Sequence, residues 1–479
     1  MKRSASFLTG LLALLSLMLS VHSATADDSS AMGPLWVHPD NPCWFARPDG
    51  QAVWLTGSHT WANFQERGIE SQTPDFDYDG YLDFLQRHGH NFIRMWTWEQ
   101  AQWMQFVDKE VPVRYKPNPY QRIGPGKALD GGLKFDVTKF NDEYFVRLRR
   151  RVELARGRGV YVGVMFFQGF SLDKRNGNVK TGNAWHGHPF NGANNVNGVN
   201  GNPSGDDSGH EIHELIVPEV TRLQEAFVRK VIDTVGHLDN VLWEIGNECH
   251  AGSVQWQYHM IRFIHEYEAT RPKQHPVGMT GAPIGTKQLL ASPADWISPP
   301  GKSWLTDPPA NDGTKVILVD NDHCDPWHHD PDWVWKNLFH GNQFILMDGY
   351  VDFRIGSPDK PDPNWDVTRQ AMGCARKLAE RIELSGLVPN TKLASTGYCL
   401  ASCTGTFRCV VYLPKGGEAS VDLSEVKGSL ALEWIEAESG NSRAATDVRG
   451  GRRQLLAAPF AGPAILRLSQ TTNLQKDQL

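Results

Sequence analysis

The chain has 479 residues, with 48 basic and 54 acidic side chains and a net charge of −6 at neutral pH. Such a chain would repel the phosphates of nucleic acid, which excludes nucleic acid as a partner. The length suits one large domain followed by a small one.

The first residues have the pattern of a secretory signal peptide. Lys2 and Arg3 precede an apolar run over residues 7–21, and Ala24-Thr-Ala26 matches a signal-peptidase site. The run is too short to span a bilayer comfortably. We therefore assign residues 1–26 to a signal, whose cleavage takes the net charge from −6 to −8. The expected product is secreted or periplasmic, with no membrane segment.

The middle of the chain alternates strand and helix patterns. A proline-rich lead-in precedes apolar runs of strand character over residues 52–55, 91–96 and 160–166, from Val241 onward, and over 275–279, 295–298, 315–319 and 342–347. Apolar residues at helical spacing lie between many of these runs, and Asn141 is a candidate helix cap. This order predicts a (β/α)₈ barrel over residues 27–388 rather than an open sheet. No glycine-rich phosphate fingerprint follows any run.

The C-terminal part changes character after a linker at residues 386–390. Short alternating runs over residues 406–413, 417–423, 430–435, 454–457 and 464–468 predict a small all-β sandwich over residues 389–479.

Seven cysteines in a secreted chain permit up to three disulfides. Cys399, Cys403 and Cys409 are close in sequence, which favours one bridge among them. Cys249 and Cys324 each follow a predicted barrel strand, and both a bridge between them and two buried thiols remain open. Cys374 lies on the apolar face of a helix and is expected in the core.

Polar residues follow several predicted strands, at the end of a barrel where catalytic groups collect. Asn247 and Glu248 close the fourth strand, Asp320 and Asp322 follow the seventh, and Arg94 lies in the second. We interpret Glu248 as a catalytic acid and Glu244 as a buried supporting acid. The alternative for Asp320 and Asp322 is a loop cap or a calcium ligand set.

The Asn247-Glu248 pair at a fourth strand resembles the large clan of retaining (β/α)₈ glycoside hydrolases. The resemblance implies that Glu248 is the general acid/base, that Asn247 contacts a sugar 2-hydroxyl, and that Arg94 supports the nucleophile. The clan ends its seventh strand in Glu, whereas this chain has Asp320 there. Tyr412-Leu-Pro-Lys-Gly-Gly and Trp434 resemble a module often named a collagen-binding domain, which commonly follows sugar-cleaving barrels.

The shorter Asp side chain bears on the stereochemistry. Retaining carboxyl pairs lie about 5–5.5 Å apart and inverting pairs about 6.5–9.5 Å apart. From the clan analogy we favour retention with Asp320 as nucleophile, and Asp322 is the alternative second carboxylate.

Aromatic and histidine side chains at the predicted mouth favour a carbohydrate ligand. The candidate substrate-binding residues are Asn247, Arg94, His59, Trp61, Trp96, Trp98, Trp185, His188, His323 and Trp327. In the loop after the third strand, His186, His188, Asn191, Asn194 and Asn195 either bind sugar hydroxyls or bond within the loop, and both alternatives stay open.

The sequence thus predicts a secreted glycoside hydrolase acting on a poly- or oligosaccharide, without cofactor or metal. One alternative is a non-catalytic carbohydrate-binding protein on a barrel scaffold. Another is a metal-dependent hydrolase that uses the Asp/His cluster of residues 320–330, although its spacing matches no strong ligand signature. The sugar, the linkage and the oligomeric state are not determined by the sequence.

Overall fold

The computed structural model describes residues 33–69, 75–103, 113–172, 183–348, 350, 361–402 and 404–470. The predicted signal peptide and Cys403 lie outside these ranges. None of the helices in these ranges combines the length and the apolar surface that a bilayer span requires.

Eight parallel strands close into a barrel, which confirms the predicted (β/α)₈ fold. Each strand pairs with its chain neighbours, and the last pairs with the first, from Phe344 opposite Thr56 to Met347 opposite His59. The strands are β1 (Thr56–His59), β2 (Phe92–Met95), β3 (Tyr161–Gln168), β4 (Val241–Asn247), β5 (Val277–Thr280), β6 (Trp296–Ser298), β7 (Val316–Asp320) and β8 (Gln343–Met347).

Helices cover the outside of the barrel. Those in the described ranges are α1 (Tyr78–Arg87), α2 (Asp142–Arg156), α3 (Pro218–Val235), α4 (Val254–Glu268), α5 (Thr286–Leu290), α6 (Pro331–Phe339) and α7 (Asp366–Arg381). The predicted cap Asn141 accepts a hydrogen bond from the Glu143 backbone at the start of α2. Proline opens α3 and α6, where its missing N–H costs no helical hydrogen bond.

The first strand of the barrel begins four residues later than predicted. Residues Ala52–Val53 pair antiparallel with Phe45–Ala46, which in turn pairs with Trp36–Val37, and this small sheet precedes the barrel. The barrel strand Thr56–His59 has no apolar run. Its Gly57 lies against the backbone of β2, where a Cβ atom would come within 1.8 Å of the Phe92 carbonyl oxygen. This strand therefore packs closely through its glycine and lacks the apolar run by which the other strands are recognised in the sequence.

The lower half of the barrel interior is apolar. Phe92, Leu242, Trp296, Val316 and their neighbours form one buried cluster with the N-terminal segment. The Trp296 ring occupies the space that a side chain at Gly278 would need, since a Cβ atom there would lie 1.9 Å from the ring. Water is thereby excluded from below the charged groups of the upper half.

The long segment after β2, predicted as a loop, contains strands of its own. Val113–Lys116 pairs with Gln102–Trp103 and also with Glu66–Gly68, a short strand between β1 and α1, and Tyr120–Lys127 pairs with Leu133–Phe140. These strands cover a buried aromatic cluster that includes Trp61, Trp96, Trp98, Trp103 and Trp185. The glycines and prolines of this segment predict a loop, but packing of the aromatic rings gives it regular strands.

The C-terminal part is all β. Its strands are β9 (Leu387–Pro389), β10 (Cys399–Ser402), β11 (Arg408–Leu413), β12 (Gly416–Asp422), β13 (Ser429–Glu436), β14 (Ser442–Arg449), β15 (Arg453–Ala461) and β16 (Ala464–Gln470). They form an antiparallel sheet in the order β9-β10-β11-β16-β13-β14 and a separate pair of β12 with β15.

The larger C-terminal sheet is apolar on both faces. In β11, Cys409, Val411 and Leu413 belong to the core shared with the β12–β15 pair, whereas Val410 and Tyr412 belong to the core of the barrel and its helices. Successive side chains of β11 point to opposite faces of the sheet, so this one strand contributes to two hydrophobic cores.

The described cysteines are free thiols, Cys399 and Cys409 included. A disulfide between these two, one form of the predicted bridge, is therefore not formed, and Cys403 lies outside the described residues. Cys249 and Cys324 are separate thiols, of which Cys249 is buried, as the second alternative for that pair expects, and Cys324 is only partly buried.

Tyr412 joins the C-terminal sheet to α6. Its hydroxyl donates to Asp332 over 2.8 Å, and its ring stacks on Trp335 and Phe339 with centroids 5.9 and 5.6 Å away. We expect Tyr412→Ala to lower the free energy of unfolding by about 3–5 kcal/mol, because it opens a cavity between sheet and helix. Tyr412→Phe removes only the hydrogen bond and should cost about 0.5–1.5 kcal/mol. Urea denaturation followed by tryptophan fluorescence measures both, and equal losses would contradict the described packing.

Candidate active site

Arg94 is the buried centre of the polar upper half of the barrel. Its Nε and Nη2 donate to the two carboxylate oxygens of Glu244 over 2.8 and 2.6 Å, and Nη1 donates to Asp320 over 3.1 Å. Burial lowers the pKa of Arg94, but Glu244 and Asp320 outweigh it and raise the pKa above its ordinary value. Arg94 therefore stays a cation and draws carboxylates from β4 and β7 together.

Asp320 is fully buried at the end of β7, and both of its carboxylate oxygens have partners. Oδ1 accepts from the Asp322 backbone N–H over 3.0 Å, and Oδ2 lies 3.0 Å from His59 Nε2 and 3.1 Å from Arg94. Burial raises the pKa of Asp320, but His59 and Arg94 outweigh it and hold the pKa below its usual range. Asp320 is an ionised anchor that caps the 3₁₀ turn Asn321–His323.

Asp322, on that turn, is the carboxyl group that lies beside Glu248. Carboxylate oxygens of Asp322 and Glu248 and a ring nitrogen of His323 all lie within 4.8 Å of one another. Asp322 Oδ2 is buried, 3.5 Å from Arg94 Nη1, and makes no hydrogen bond. Burial raises the pKa of Asp322 to about 6, with Asp320 and Glu244 adding to the effect and His59 and Arg94 opposing it.

Asn247 is held in one orientation by two donors. Its Oδ1 accepts from Arg94 Nη2 over 2.6 Å and from His323 Nε2 over 3.1 Å. His323 donates from Nε2 because the Asn247 Oδ1 can only accept, and in the neutral ring Nδ1 then accepts from the Ser298 hydroxyl 2.9 Å away. Burial lowers the pKa of His323 to about 3. The Asn247 amide nitrogen is left buried and without a hydrogen-bond partner beside Glu248.

The predicted aromatic residues divide into a buried wall and one exposed ring. His59 stacks on Trp96 with centroids 5.1 Å apart, and Trp96 contacts both Trp61 and Trp98, all of them buried. Trp327, in the loop after β7, is 64 % exposed. The wall keeps water from one side of the charged cluster, whereas most of Trp327 is exposed to solvent.

Among the predicted loop residues after β3, His188, Asn194 and Asn195 are buried, Asn191 is partly buried, and His186 is exposed and pairs with Asp207. Trp185 is buried in the aromatic cluster, and His188 Nε2 lies 3.5 Å from Glu99, whose side chain is 9 % exposed. Asn194 and Asn195 donate to carbonyl oxygens of their own loop, as the second alternative for this loop required. The sequence did not indicate that Glu99 contacts two histidines, His188 and His213, the second of which donates to it over 2.8 Å. His213 and Glu99 lie 114 residues apart in the chain, so no local sequence pattern indicates that they pair.

The Asp/His cluster of residues 320–330 does not form one ligand set. Asp325 and Asp330 accept hydrogen bonds from backbone N–H groups two residues ahead, and His329 packs on Trp365. Among the described residues, the groups with ligand spacing are His59, Asp320 and Asp322, and Glu248, Asp322 and His323. Arg94 already places a fixed positive charge against both aspartates.

The fold matches solved structures of sugar-cleaving enzymes. A structure titled glycoside hydrolase aligns over 92 % of this chain and 97 % of its own, with a TM-score of 0.57 and 12 % identity. A family 5 glycoside hydrolase from Bacteroides vulgatus ATCC 8482 aligns over 92 % and 94 %, with a TM-score of 0.58 and 12 % identity. Another glycoside hydrolase of that organism aligns over 92 % and 83 %, with a TM-score of 0.59 and 12 % identity. At this identity the likeness establishes the fold.

In sequence, residues 96–291 match a family model described as a domain of unknown function, DUF6298. The matched segment contains Asn247 and Glu248 and ends before β7. No curated protein matches the chain.

The raised pKa of Asp322 predicts a stability cost at neutral pH. With a pKa of about 6 in the folded state and about 3.9 unfolded, the native state binds the proton more tightly. The stability that this carboxyl contributes is present below about pH 4 and is lost as the pH rises through 6. Asp322→Asn should therefore raise the free energy of unfolding by about 1–3 kcal/mol at pH 8 and little at pH 4.5.

Urea denaturation at both pH values measures this effect. Asp325→Asn, which removes the same charge from the same loop, is the matched control and should show no such pH-dependent gain. An equal gain from Asp322→Asn at both pH values would contradict the prediction.

Proposed function

We propose that the chain is a retaining glycoside hydrolase in which Glu248 is the acid/base and Asp322 the nucleophile. The observation that carries the proposal is the proximity of their carboxylate oxygens, within 4.8 Å, at the C-terminal end of the barrel strands. An oxygen-to-oxygen separation of this size fits a retaining pair, whose carboxyl groups lie about 5–5.5 Å apart, better than an inverting pair at about 6.5–9.5 Å.

Asp320 takes a supporting role in this proposal, in place of the nucleophilic role expected from the sequence. Its oxygens are occupied by His59, Arg94 and the Asp322 backbone. Asp322 has a carboxylate oxygen without a hydrogen bond, and at neutral pH a pKa of about 6 leaves it mostly ionised. An ionised oxygen without a hydrogen bond is the better nucleophile.

The reaction would take two steps. Glu248 donates its proton to the glycosidic oxygen while Asp322 attacks the anomeric carbon, which breaks the glycosidic bond and forms a glycosyl ester. Glu248, now a carboxylate, removes a proton from water, whose oxygen attacks the same carbon and releases Asp322. The buried Asn247 amide nitrogen would donate to the hydroxyl next to that carbon, and it can do so because Arg94 and His323 occupy its oxygen.

The assignment is tested with a panel of aryl glycosides and polysaccharides. We expect Glu248→Gln to lower kcat by about 10²–10⁴-fold on substrates with poor leaving groups, because the leaving oxygen is no longer protonated. Glu248→Ala should keep the first step on dinitrophenyl glycosides, and azide should restore turnover with retained configuration. Asp322→Asn should lose the covalent step on every substrate.

Two further variants separate the aspartates. Asp320→Asn should lose about 10²-fold, since His59 and Arg94 lose the buried carboxylate that they bind and the geometry around Asp322 changes, but the nucleophile remains. Asp325→Asn, in the same loop, should keep full turnover. A greater loss from Asp320→Asn than from Asp322→Asn would return the nucleophilic role to Asp320. Binding of sugar without release of reducing ends by the wild type would favour a non-catalytic carbohydrate-binding protein.

A metal-dependent hydrolase is the second candidate, because two groups with ligand spacing share Asp322. Arg94 argues against it, since the guanidinium already neutralises the aspartates that a cation would need. We expect prolonged EDTA treatment to leave kcat unchanged and zinc, calcium or manganese to add nothing. Loss of activity with EDTA and its recovery with one of these ions would support the metal candidate.

A further inference from the structure

Asn247 is the last residue of a hydrogen-bonded chain that begins on another strand. The Ser298 hydroxyl, at the end of β6, lies 2.9 Å from His323 Nδ1, and His323 Nε2 lies 3.1 Å from Asn247 Oδ1. All three residues are at most 4 % exposed. The chain therefore connects the ends of β6 and β4 through the turn that follows β7.

Arg94 determines which end of the Asn247 amide faces this chain. A guanidinium can only donate, so the amide atom 2.6 Å from Arg94 Nη2 is the oxygen. The same oxygen faces His323 Nε2, which must then carry the single N–H of the neutral ring. Nδ1 is left as an acceptor, and the Ser298 hydroxyl is the donor that it meets.

The two donors leave the Asn247 amide no second orientation. A carbonyl oxygen has two acceptor positions, and Arg94 and His323 occupy both. Turning the amide over would bring its N–H groups against these two N–H donors. With Arg94 alone, the amide would be held at a single point. His323 is therefore the second of the two contacts that fix this side chain.

The fixed orientation leaves a donor that a ligand can satisfy. In the part of the chain that the structure describes, the buried Asn247 amide nitrogen has no acceptor within hydrogen-bond reach. Buried donors are nearly always paired in proteins, and an unpaired one is costly. A donor held in this way next to Glu248 points to an acceptor that arrives with the substrate, and a sugar hydroxyl can accept.

The turn that carries His323 is also held through its backbone. The Gly301 N–H, in the loop after β6, donates to the His323 carbonyl over 2.9 Å, and the Asp322 N–H donates to Asp320 over 3.0 Å. Because these bonds fix the backbone of the turn, the Ser298 hydroxyl acts mainly on the orientation of the His323 ring.

We propose that His323 and Ser298 are positioning residues that turn the Asn247 amide nitrogen toward the sugar hydroxyl next to the anomeric carbon. Selectivity for sugars that carry this hydroxyl then depends on two residues that act only through Asn247. The inference rests on the proposed glycosidase function, in which Asn247 donates to that hydroxyl.

The test uses the full chain and two aryl glycosides of a sugar that the wild type cleaves, one with a hydroxyl at C2 and one with hydrogen there. The measured quantity is the selectivity ratio, which is kcat/KM for the first substrate divided by kcat/KM for the second. The intrinsic reactivities of the two substrates are the same for every variant, so a change in the ratio reports the contact with the hydroxyl. Asn247→Ala should lower the ratio by at least about tenfold, because the donor is lost.

Three variants test the chain behind Asn247. His323→Leu should lower the ratio by about tenfold, because the amide is held at one point only. His323→Gln should keep the ratio within about threefold, since the glutamine Nε2 can donate in place of the imidazole Nε2. Ser298→Ala should lower the ratio by about 3–10-fold, because the buried Nδ1 loses its donor and the ring its orientation.

The double variant separates a shared pathway from two independent effects. If His323 acts through Asn247, the ratio in Asn247→Ala/His323→Leu should be no lower than in Asn247→Ala alone. A ratio that falls by the product of the two single effects would overturn the proposed connection.

The matched control is Ser58→Ala. Ser58 is a buried serine of β1, and its hydroxyl lies 2.7 Å from the Tyr81 hydroxyl on α1. This variant loses a buried hydroxyl as Ser298→Ala does, and it should keep the wild-type ratio even where its melting temperature falls. Equal losses on both substrates in His323→Leu would indicate a structural role alone and would overturn the inference. If His323→Leu does not fold, an unchanged ratio in Ser298→Ala overturns it.

Wild type and Glu248→Gln are assayed alongside, so that the two proposals fail differently. If wild type cleaves no glycoside, the proposed function falls and this inference falls with it. If Glu248→Gln loses turnover and Asn247→Ala lowers the ratio, while His323→Leu and Ser298→Ala keep it, the proposed function stands and only the positioning role is wrong.

Discussion

The upper barrel depends on one buried cation, Arg94, facing more negative charge than it can neutralise. Its guanidinium bonds Glu244 and Asp320 and lies 3.5 Å from Asp322. Removing it would leave buried carboxylates uncompensated, which is far costlier than losing an exposed ion pair. The N–H groups of Arg94 donate to Glu244, Asp320 and Asn247, so the Asp322 carboxylate is stabilised least by this cation. Asp322, the carboxyl group that Arg94 stabilises least, is also the one beside Glu248.

The charges in the upper half of the barrel interact strongly because the lower half of the interior is apolar. Phe92 and Trp296 fill the interior below Arg94, and the stack of His59 on Trp96 closes one side. Charges interact more strongly where water is excluded. Active sites often carry strain and unpaired groups that the rest of the fold must offset. The left-handed backbone of Glu248, with a φ of 46°, and the buried oxygen of Asp322 are of this kind, and close packing around them makes both tolerable.

Rigidity at the mouth comes from structure outside the eight strands. The segment after β2 folds into sheets of its own over a cluster of tryptophans, and the loop after β3 is bonded to itself through Asn194 and Asn195. The larger C-terminal sheet packs one face on the barrel helices, with Tyr412 in contact with α6. A site of this chemistry needs its groups held to within a fraction of an ångström, and such packing can supply that precision.

The sequence by itself predicted the barrel, because eight apolar strand runs alternate with helical patterns and no glycine-rich phosphate fingerprint follows any of them, which favours a closed parallel sheet over an open one. It also located Asn247, Glu248 and Arg94 at strands of the barrel, since position along a strand is a local property. It misplaced the first strand, where Gly57 packs on Phe92 and no apolar run exists. Only the tertiary structure decided which aspartate lies beside Glu248, because Asp320 and Asp322 differ by two residues in sequence and by a turn in space. The burial of His188 and the pairing of His213 with Glu99 also depended on contacts across distant loops, about which no local pattern carries information.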